Sequence, residues 1–511
     1  MSPIPEGAPR PAQRSGSVLA CVSVCTALVV GFVAAINLAV PQLAASSLRP
    51  TSSDLLWIVD AYVVIFACLV IPAGAAGDKL GRKGVLMAGL GILAFGAVVS
   101  AVAPNVPVML IGRAITGLGA ACVLPNCVGV LLHATAPERR PHALAVWAAA
   151  TGIGGVVGNV GGGAVLSAGS WRALFVAVAL VAACCLVWTA WSAPRSARHD
   201  RTLDLPGTLL FVAAFVALLI GIIEGPERGW GSTVVLAAFA CSILLSLCWV
   251  RVELRVAQPM LDPRLFRGAA LSSAALGMTI TFFGSFGLFY VNASLLQYGR
   301  GFSVLQAGLG VIPLTVPLLV GTRYVPGLIR RIGIPATLAA AFALTGAGLL
   351  GLSYASTMAY PVYAAGLFVI GLGIMLAVPC LTAQIASALP VERAGIAGGL
   401  QSATRELGSA LGVAVVGTIL TAGFTQHLPA DLSRHAPLPR TVREALTLAP
   451  ADHTAVTEAF THGANTALRA AALVVLLAGA LVVAGARRAH RTAPRYSVAE
   501  GPTPPDSAPA S

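Results

Sequence analysis

The chain has 511 residues, 57% of them hydrophobic and only 10% charged, against roughly 25% charged residues in soluble domains. No water-soluble fold of that length hides so much apolar surface. The formal charge of +13 sits in short basic clusters between apolar runs rather than on one face, which argues against a nucleic-acid partner.

The apolar residues come in runs of about 20, the length that crosses a hydrocarbon core as a helix. Ala, Leu, Gly and Val dominate and barrel-like alternation is missing, so the pattern predicts an all-α membrane protein. Fourteen candidate spans fall near 18–40, 55–76, 84–103, 108–132, 143–166, 173–192, 205–224, 233–250, 269–292, 303–325, 334–354, 360–386, 396–421 and 465–486. The first run follows Arg10 and Arg14 and is too long for a cleaved signal segment. Most Lys and Arg residues fall in every second linker, which predicts that residues 1–17 and the tail 487–511 are both cytoplasmic. That tail is Pro-, Ser- and Ala-rich and predicts disorder. The long linker 422–464 is then on the outer side.

Taken along the chain, span two carries Asp60, about five residues in. It is either an acid at the interface or a carboxyl in a low-dielectric cavity. The loop that follows reads Gly74-x-x-x-Asp78-Lys79-x-Gly81-Arg82-Lys83. Gly74 and Gly81 allow a tight turn and close helix approach. Asp78 can bond free backbone N–H groups at a helix start or pair with an Arg, and Lys79, Arg82 and Lys83 hold the loop in the cytoplasm.

Span four contains Arg113. An Arg in hydrocarbon costs about 2.5–3.5 kcal/mol on insertion scales, so it faces a cavity or a partner, or reaches to the nearby interface. Span five has Gly154, Gly158, Gly162 and Gly163, with Asn159 among them. Gly at three- and four-residue spacing lets another helix pack closely. Glu224 ends span seven and reads as interfacial. Span thirteen carries Arg405 and Glu406, either a local pair or a site for a proton, since a desolvated carboxyl loads and releases protons more readily near neutral pH. Eight spans after the 74–83 loop, Arg330-Arg331-Ile332-Gly333 repeats a basic residue and a Gly in register, with Arg330 in place of Asp78. That repetition predicts two six-helix halves, 18–192 and 269–486, with residues 193–268 carrying two inserted helices. Paired halves that rock about a central cavity are the architecture of alternating-access transporters.

The ten cysteines all lie in apolar runs and show no metal spacing, and the eight histidines are scattered. No nucleotide-binding P-loop is present, which disfavours an ATP-driven pump. No catalytic constellation, cofactor or metal is expected.

These motifs resemble the major facilitator superfamily, and more closely its fourteen-span drug:proton antiporter branch, the QacA/EmrB type. Trp57, Asp60 and Tyr62, the 74–83 loop, Arg113-x-x-Thr116-Gly117-x-Gly119, and "GNVGGG" followed by Ser170-Trp171-Arg172 carry the resemblance, with "LQAGLGVIP" and "AGIAGGLQSATRELGSALG" further on. The resemblance covers nearly the whole chain and implies several roles. Arg113, Asp60, Arg405 and Glu406 would serve proton coupling. The 74–83 loop would gate the conformational change, and the Gly154–Gly163 series would be a hinge. The chain departs from the pattern at three places: Thr116 replaces Gln, Asn159 replaces Pro, and Phe32 stands where the branch carries an acid in span one.

The expectation is therefore a secondary transporter in a bacterial plasma membrane, acting as a monomer. It would export a hydrophobic small molecule in exchange for protons. A nutrient or ion permease of the same superfamily is the rival within the class, and a membrane enzyme or sensor scaffold the rival outside it.

Overall fold

The computed structural model describes residues 11–44, 46–50, 52–194, 204–256, 259, 261–302, 304–389, 394–434 and 438–492. Among them there is no β-strand. The first six helices are α1 (Pro11–Ala44), α2 (Ser52–Leu80), α3 (Arg82–Ala101), α4 (Val106–Ala134), α5 (Arg140–Ala168) and α6 (Trp171–Ser192). Two follow as a hairpin, α7 (Leu205–Arg228) and α8 (Thr233–Glu253). The rest are α9 (Ala269–Ser294), α10 (Val304–Leu309), α11 (Ile312–Gly321), α12 (Val325–Ala355), α13 (Tyr360–Ser387), α14 (Ala394–Gln426), α15 (Ala430–Ser433), α16 (Val442–Leu448) and α17 (His453–Thr492).

Local chemistry sets several of these ends. Asn105 caps α4 by accepting from the Val108 amide at 3.0 Å, and Asp204 caps α7 by accepting from the Gly207 amide at 2.9 Å. Gly81, with φ 101°, separates α2 from α3, and Gly333, with φ 80°, bends α12 near its start. A residue with a Cβ rarely adopts that backbone region, so both turns need their glycine.

The packing repeats between the two halves. In the first, α1 packs on α4, α5 and α6, α3 on α4 and α6, and α2 on α4. In the second, α9 packs on α13, α14 and α17, α12 on α13 and α17, and α11 on α13. Each contact in one set has its counterpart in the other, as expected of a duplicated unit. The halves meet where α14 crosses α2 and α4, and where α5 touches α11. The α7–α8 pair lies outside both, with α7 contacting α2 and α14 together. Burial follows this plan: 78% of the apolar window of α4 is buried but only 11% of that of α8. Large apolar side chains such as Leu180, Leu244 and Leu477 face outward, as lipid contact requires.

Twelve helical segments among the described residues are long and apolar enough to cross a membrane, against the fourteen expected. The difference arises at two places. The expected tenth and eleventh spans fall within one 50-residue stretch, Gln306–Ala355. The fifth span retains only Ile153–Ala168 as a shorter apolar segment. The expected outer loop 422–464 is also narrower, because α14 runs to Gln426 and α17 begins at His453. Residues 1–10 and 493–511 lie outside the described residues; of the tail 487–511 expected to be disordered, residues 487–492 instead continue α17.

Candidate functional site

Arg113 lies eight residues into α4 and has no exposed surface. It does not reach to an interface. Its Nε donates to the Ile58 carbonyl at 2.7 Å and its Nη2 to the Val59 carbonyl at 3.1 Å, both on α2. The guanidinium also lies over two rings, 4.9 Å from the centre of Phe32 and 4.8 Å from that of Tyr62. Desolvated cation–π contacts of this kind contribute about 2 kcal/mol or more. Phe32, which occupies the usual acid position, is thus a direct partner of the buried cation. It packs edge-on against Tyr62 at 5.6 Å and Phe175 at 5.7 Å. Gly117 permits the arrangement, because a Cβ there would lie 2.6 Å from the Tyr62 carbonyl oxygen. Thr116 donates back to the Arg113 carbonyl at 2.8 Å, on its own helix. Asp60 is half-buried and within electrostatic reach of Arg113.

The same helix leads to the other half. Tyr62 stacks on Phe66, with ring centres 6.1 Å apart, and the Arg405 guanidinium lies 5.9 Å from the Phe66 ring. Arg405 donates from Nε and Nη2 to Glu406 Oε1 at 3.0 and 2.7 Å. Adjacent helical residues point about 100° apart, but the long Arg side chain folds back across that angle. Glu406 is buried. Asp60, Arg113, Arg405 and Glu406 are therefore brought to one site along α2, with Tyr62 and Phe66 as the links between halves. Below it, Gly399 of α14 meets the backbone of Ile71.

The 74–83 segment stands apart from this site and is a loop only at Gly81: residues 74–80 end α2 and Arg82 and Lys83 begin α3, so Gly74 lies inside a helix and makes no turn. Asp78 is buried and pairs with Arg82 Nε at 2.9 Å. Arg82 Nη1 donates to the Gly129 carbonyl on α4 at 3.2 Å. Lys83 donates to the Ala190 and Ala193 carbonyls at 2.8 and 2.7 Å, closing the C-terminal end of α6, where unpaired carbonyls favour a cation. Gly74 and Gly81 are buried, and Lys79 is half-buried.

The glycines of α5 form a seam with α1. A Cβ on Gly154 would lie 2.8 Å from Ala27 Cα, one on Gly158 2.2 Å from the Gly31 carbonyl oxygen, and one on Gly162 2.6 Å from Ala35 Cβ. Two rows of small residues at four-residue spacing thus interlock. Gly163 has only the far end of Leu38 nearby, at 3.9 Å. The Asn159 side chain lies outside the described residues.

Sequence reasoning missed two buried polar groups. Asn126 of α4 donates to the Ala73 carbonyl at 3.2 Å and so ties α4 to α2. Glu224, read as interfacial, is buried; it accepts from Trp57 Nε1 at 3.2 Å and pairs with Arg228. A lone amide inside an apolar run was the available signal for Asn126. No cluster of three or more metal-ligating side chains occurs among the described residues.

Comparison with known proteins matches residues 22–413 to the model of the Major Facilitator Superfamily. The chain is 31% identical to Multidrug resistance protein Stp of Mycobacterium tuberculosis (strain CDC 1551 / Oshkosh), covering 79% of this chain and 75% of Stp. It is 31% identical to the Methylenomycin A resistance protein of Streptomyces coelicolor, covering 77% of this chain and 85% of that protein. It is also 31% identical to the Cephamycin export protein CmcT of Amycolatopsis lactamdurans, covering 83% of this chain and 89% of CmcT. The fold is similar to that of the human organic anion transporter MFSD10, at TM-score 0.61 and 17% identity over 92% of this chain and 99% of that one. It is also similar to the proton:xylose symporter XylE, at TM-score 0.60 and 14% identity over 95% of this chain and 97% of that one. This multi-pass membrane protein belongs to the Major Facilitator Superfamily.

Proposed function

We propose that this chain exports a hydrophobic small molecule, an antibiotic or secondary metabolite, from the bacterial cytoplasm in exchange for protons. Three relatives bear names that denote drug or antibiotic resistance or export. The observation that carries the reading is the buried path along α2. It runs from Arg113 through Tyr62 and Phe66 to Arg405 and Glu406, and so joins the two halves at their meeting line.

In the state described, Arg405 neutralises Glu406. Rocking of α14 against α2 would part Arg405 from Phe66 and change the solvation of Glu406, so that its carboxyl takes up a proton on one side and releases it on the other. Asp60, beside the carbonyls that hold Arg113, is the second candidate carrier. Phe32 contributes a ring where an acid would contribute charge, so the N-terminal half holds its buried cation without a carboxylate in α1. A site with that balance suits a neutral or weakly charged lipophilic substrate. The α1–α5 seam serves as the hinge, while the Asp78–Arg82 pair ties α2 to α3 and the bond from Arg82 to the Gly129 carbonyl holds α3 to α4 during the swing.

We infer fourteen crossings, because Gln306–Ala355 is more than twice the roughly 20 residues one crossing needs and α5 packs along α1 as α14 does along α9. Fourteen is even, which agrees with both termini in the cytoplasm of a plasma-membrane protein. The direct test is a susceptibility panel in a pump-deficient bacterial host. The wild-type chain should raise tolerance to at least one lipophilic antibiotic, and Glu406→Gln should abolish that gain. Unchanged tolerance across the panel, from a chain verified in the membrane, would count against export.

A further inference from the structure

A cavity of about 550 Å³ opens between α12 and α17, on the outside of the bundle and far from the α2 path. Its floor is apolar and made of small residues: Ala343, Ala480 and Ala484, with Phe342 and Leu476 at the deep end. Its mouth carries Arg487, Arg488 and Arg491, all exposed, and none of its lining residues is acidic. Close packing fixes the deep end, since a Cβ on Gly346 would lie 2.5 Å from the Leu476 side chain and one on Gly479 2.6 Å from Phe342 Cβ. Leu473, Leu477 and Leu481 stand exposed on α17 beside it, so the hollow opens to hydrocarbon.

The dimensions match one kind of molecule. From Leu476 to Arg491 the helix rises about 22 Å, roughly half the hydrocarbon thickness plus a headgroup layer. The hollow is lined by apolar residues of α12 and α17 along most of its length and is cationic only at its Arg487–Arg491 end. Arg487 and Arg491 share a helix face one turn apart, and their guanidinium forks suit phosphate oxygens. Basic pockets between transmembrane helices at the cytoplasmic face recognise anionic headgroups. A free anion would have no use for the alanine hollow, and a neutral lipid would have none for three arginines.

We infer that the α12–α17 cavity holds an anionic phospholipid, with one acyl chain against Ala480 and Ala484 and the phosphate on Arg487 and Arg491. The inference rests on the membrane-spanning reading of α17 and is independent of the export reading. Native mass spectrometry of the full chain in detergent, titrated with phosphatidylglycerol or phosphatidylcholine of the same acyl composition, tests it. The wild type should retain phosphatidylglycerol in preference to phosphatidylcholine. Arg487→Ala with Arg491→Ala should lower its occupancy by about tenfold or more, since each surface Arg adds about 1 kcal/mol toward anionic lipid. Ala480→Trp, which fills the hollow and leaves the arginines in place, should lower it as well. Thermal melting that matches the wild type would show each variant is folded, and Arg487→Lys with Arg491→Lys, which keeps the charge, should retain more lipid than the alanine pair. Equal retention of the two lipids, or full phosphatidylglycerol binding in Ala480→Trp that inorganic phosphate displaces, would overturn the proposal.

Discussion

The two halves make the same turn and use it differently. Gly81 and Gly333 occupy matching places and both have positive φ. In the first half, the turn is tied down by Asp78–Arg82, by Arg82 on the Gly129 carbonyl, and by Lys83 on the end of α6. In the second, Arg330 and Arg331 stand exposed. The helix seams differ in the same sense. Gly154, Gly158 and Gly162 meet a row of equally small residues, Ala27, Gly31 and Ala35. Their counterparts Gly408 and Gly412 meet the main chain of Thr279 and Phe283, residues with larger side chains. The backbone plan repeats between the halves, while charge and side-chain size differ. The first half is bolted together at that turn, and the second is left freer there. That asymmetry predicts where substitutions hurt.

The largest effect belongs to the first seam. Gly158→Leu would drive a side chain into the Gly31 backbone, at a cost of about 3 kcal/mol or more, and should leave little folded protein by detergent-solubilised size-exclusion chromatography. Gly155→Ala, where a Cβ meets nothing within 4 Å, should leave yield unchanged. Next comes Arg113→Ala, which removes two buried hydrogen bonds and two ring contacts. It should reduce efflux to background, and Arg113→Lys should not restore it, because Lys lacks the planar fork that reaches both carbonyls.

Asp78→Asn weakens a charge-assisted bond worth about 1.5–3 kcal/mol. It should cut efflux at least tenfold with insertion intact, whereas Arg330→Ala at the matching position should leave efflux near wild type. Equal losses from those two variants would erase the contrast between halves. The smallest effect is expected of Phe32→Leu, which keeps the packing volume but loses one ring from Arg113. Efflux should fall only severalfold, because both carbonyl bonds and the Tyr62 ring still hold Arg113.

Much of this was legible in the sequence because membrane helices follow simple rules of length and polarity. The apolar runs marked the helices, and polar residues within them marked Arg113 and Glu406. The register of Arg330–Gly333 with Asp78–Gly81 pointed to two similar units, and the helix contacts do repeat. What stayed hidden depends on contacts across helices. Arg113 is held by carbonyls and rings of other helices, and nothing at Phe32 in the linear sequence reveals a partner for a cation. The sequence left Arg405 and Glu406 as either a local pair or a proton site, and a bent Arg405 side chain makes the pair. Glu224 looked interfacial because its helix ends nearby; the packing of α7 against Trp57 of α2 buries it. The expected tenth span divides into α10 and α11, a break that hydropathy alone does not mark.

The central claim is that protons drive export through the α2 path, with Glu406 and Asp60 as carriers. Everted membrane vesicles containing the chain, loaded by an imposed pH gradient, measure it most directly through accumulation of an antibiotic to which the chain confers tolerance. The account predicts uphill accumulation in the wild type and its collapse on adding a protonophore. It also predicts that the Asp60→Asn, Glu406→Gln double variant loses accumulation while still exchanging substrate downhill. Accumulation that persists after the gradient is collapsed would contradict proton coupling, and protonophore-sensitive accumulation in the double variant would contradict the assignment of both carboxylates.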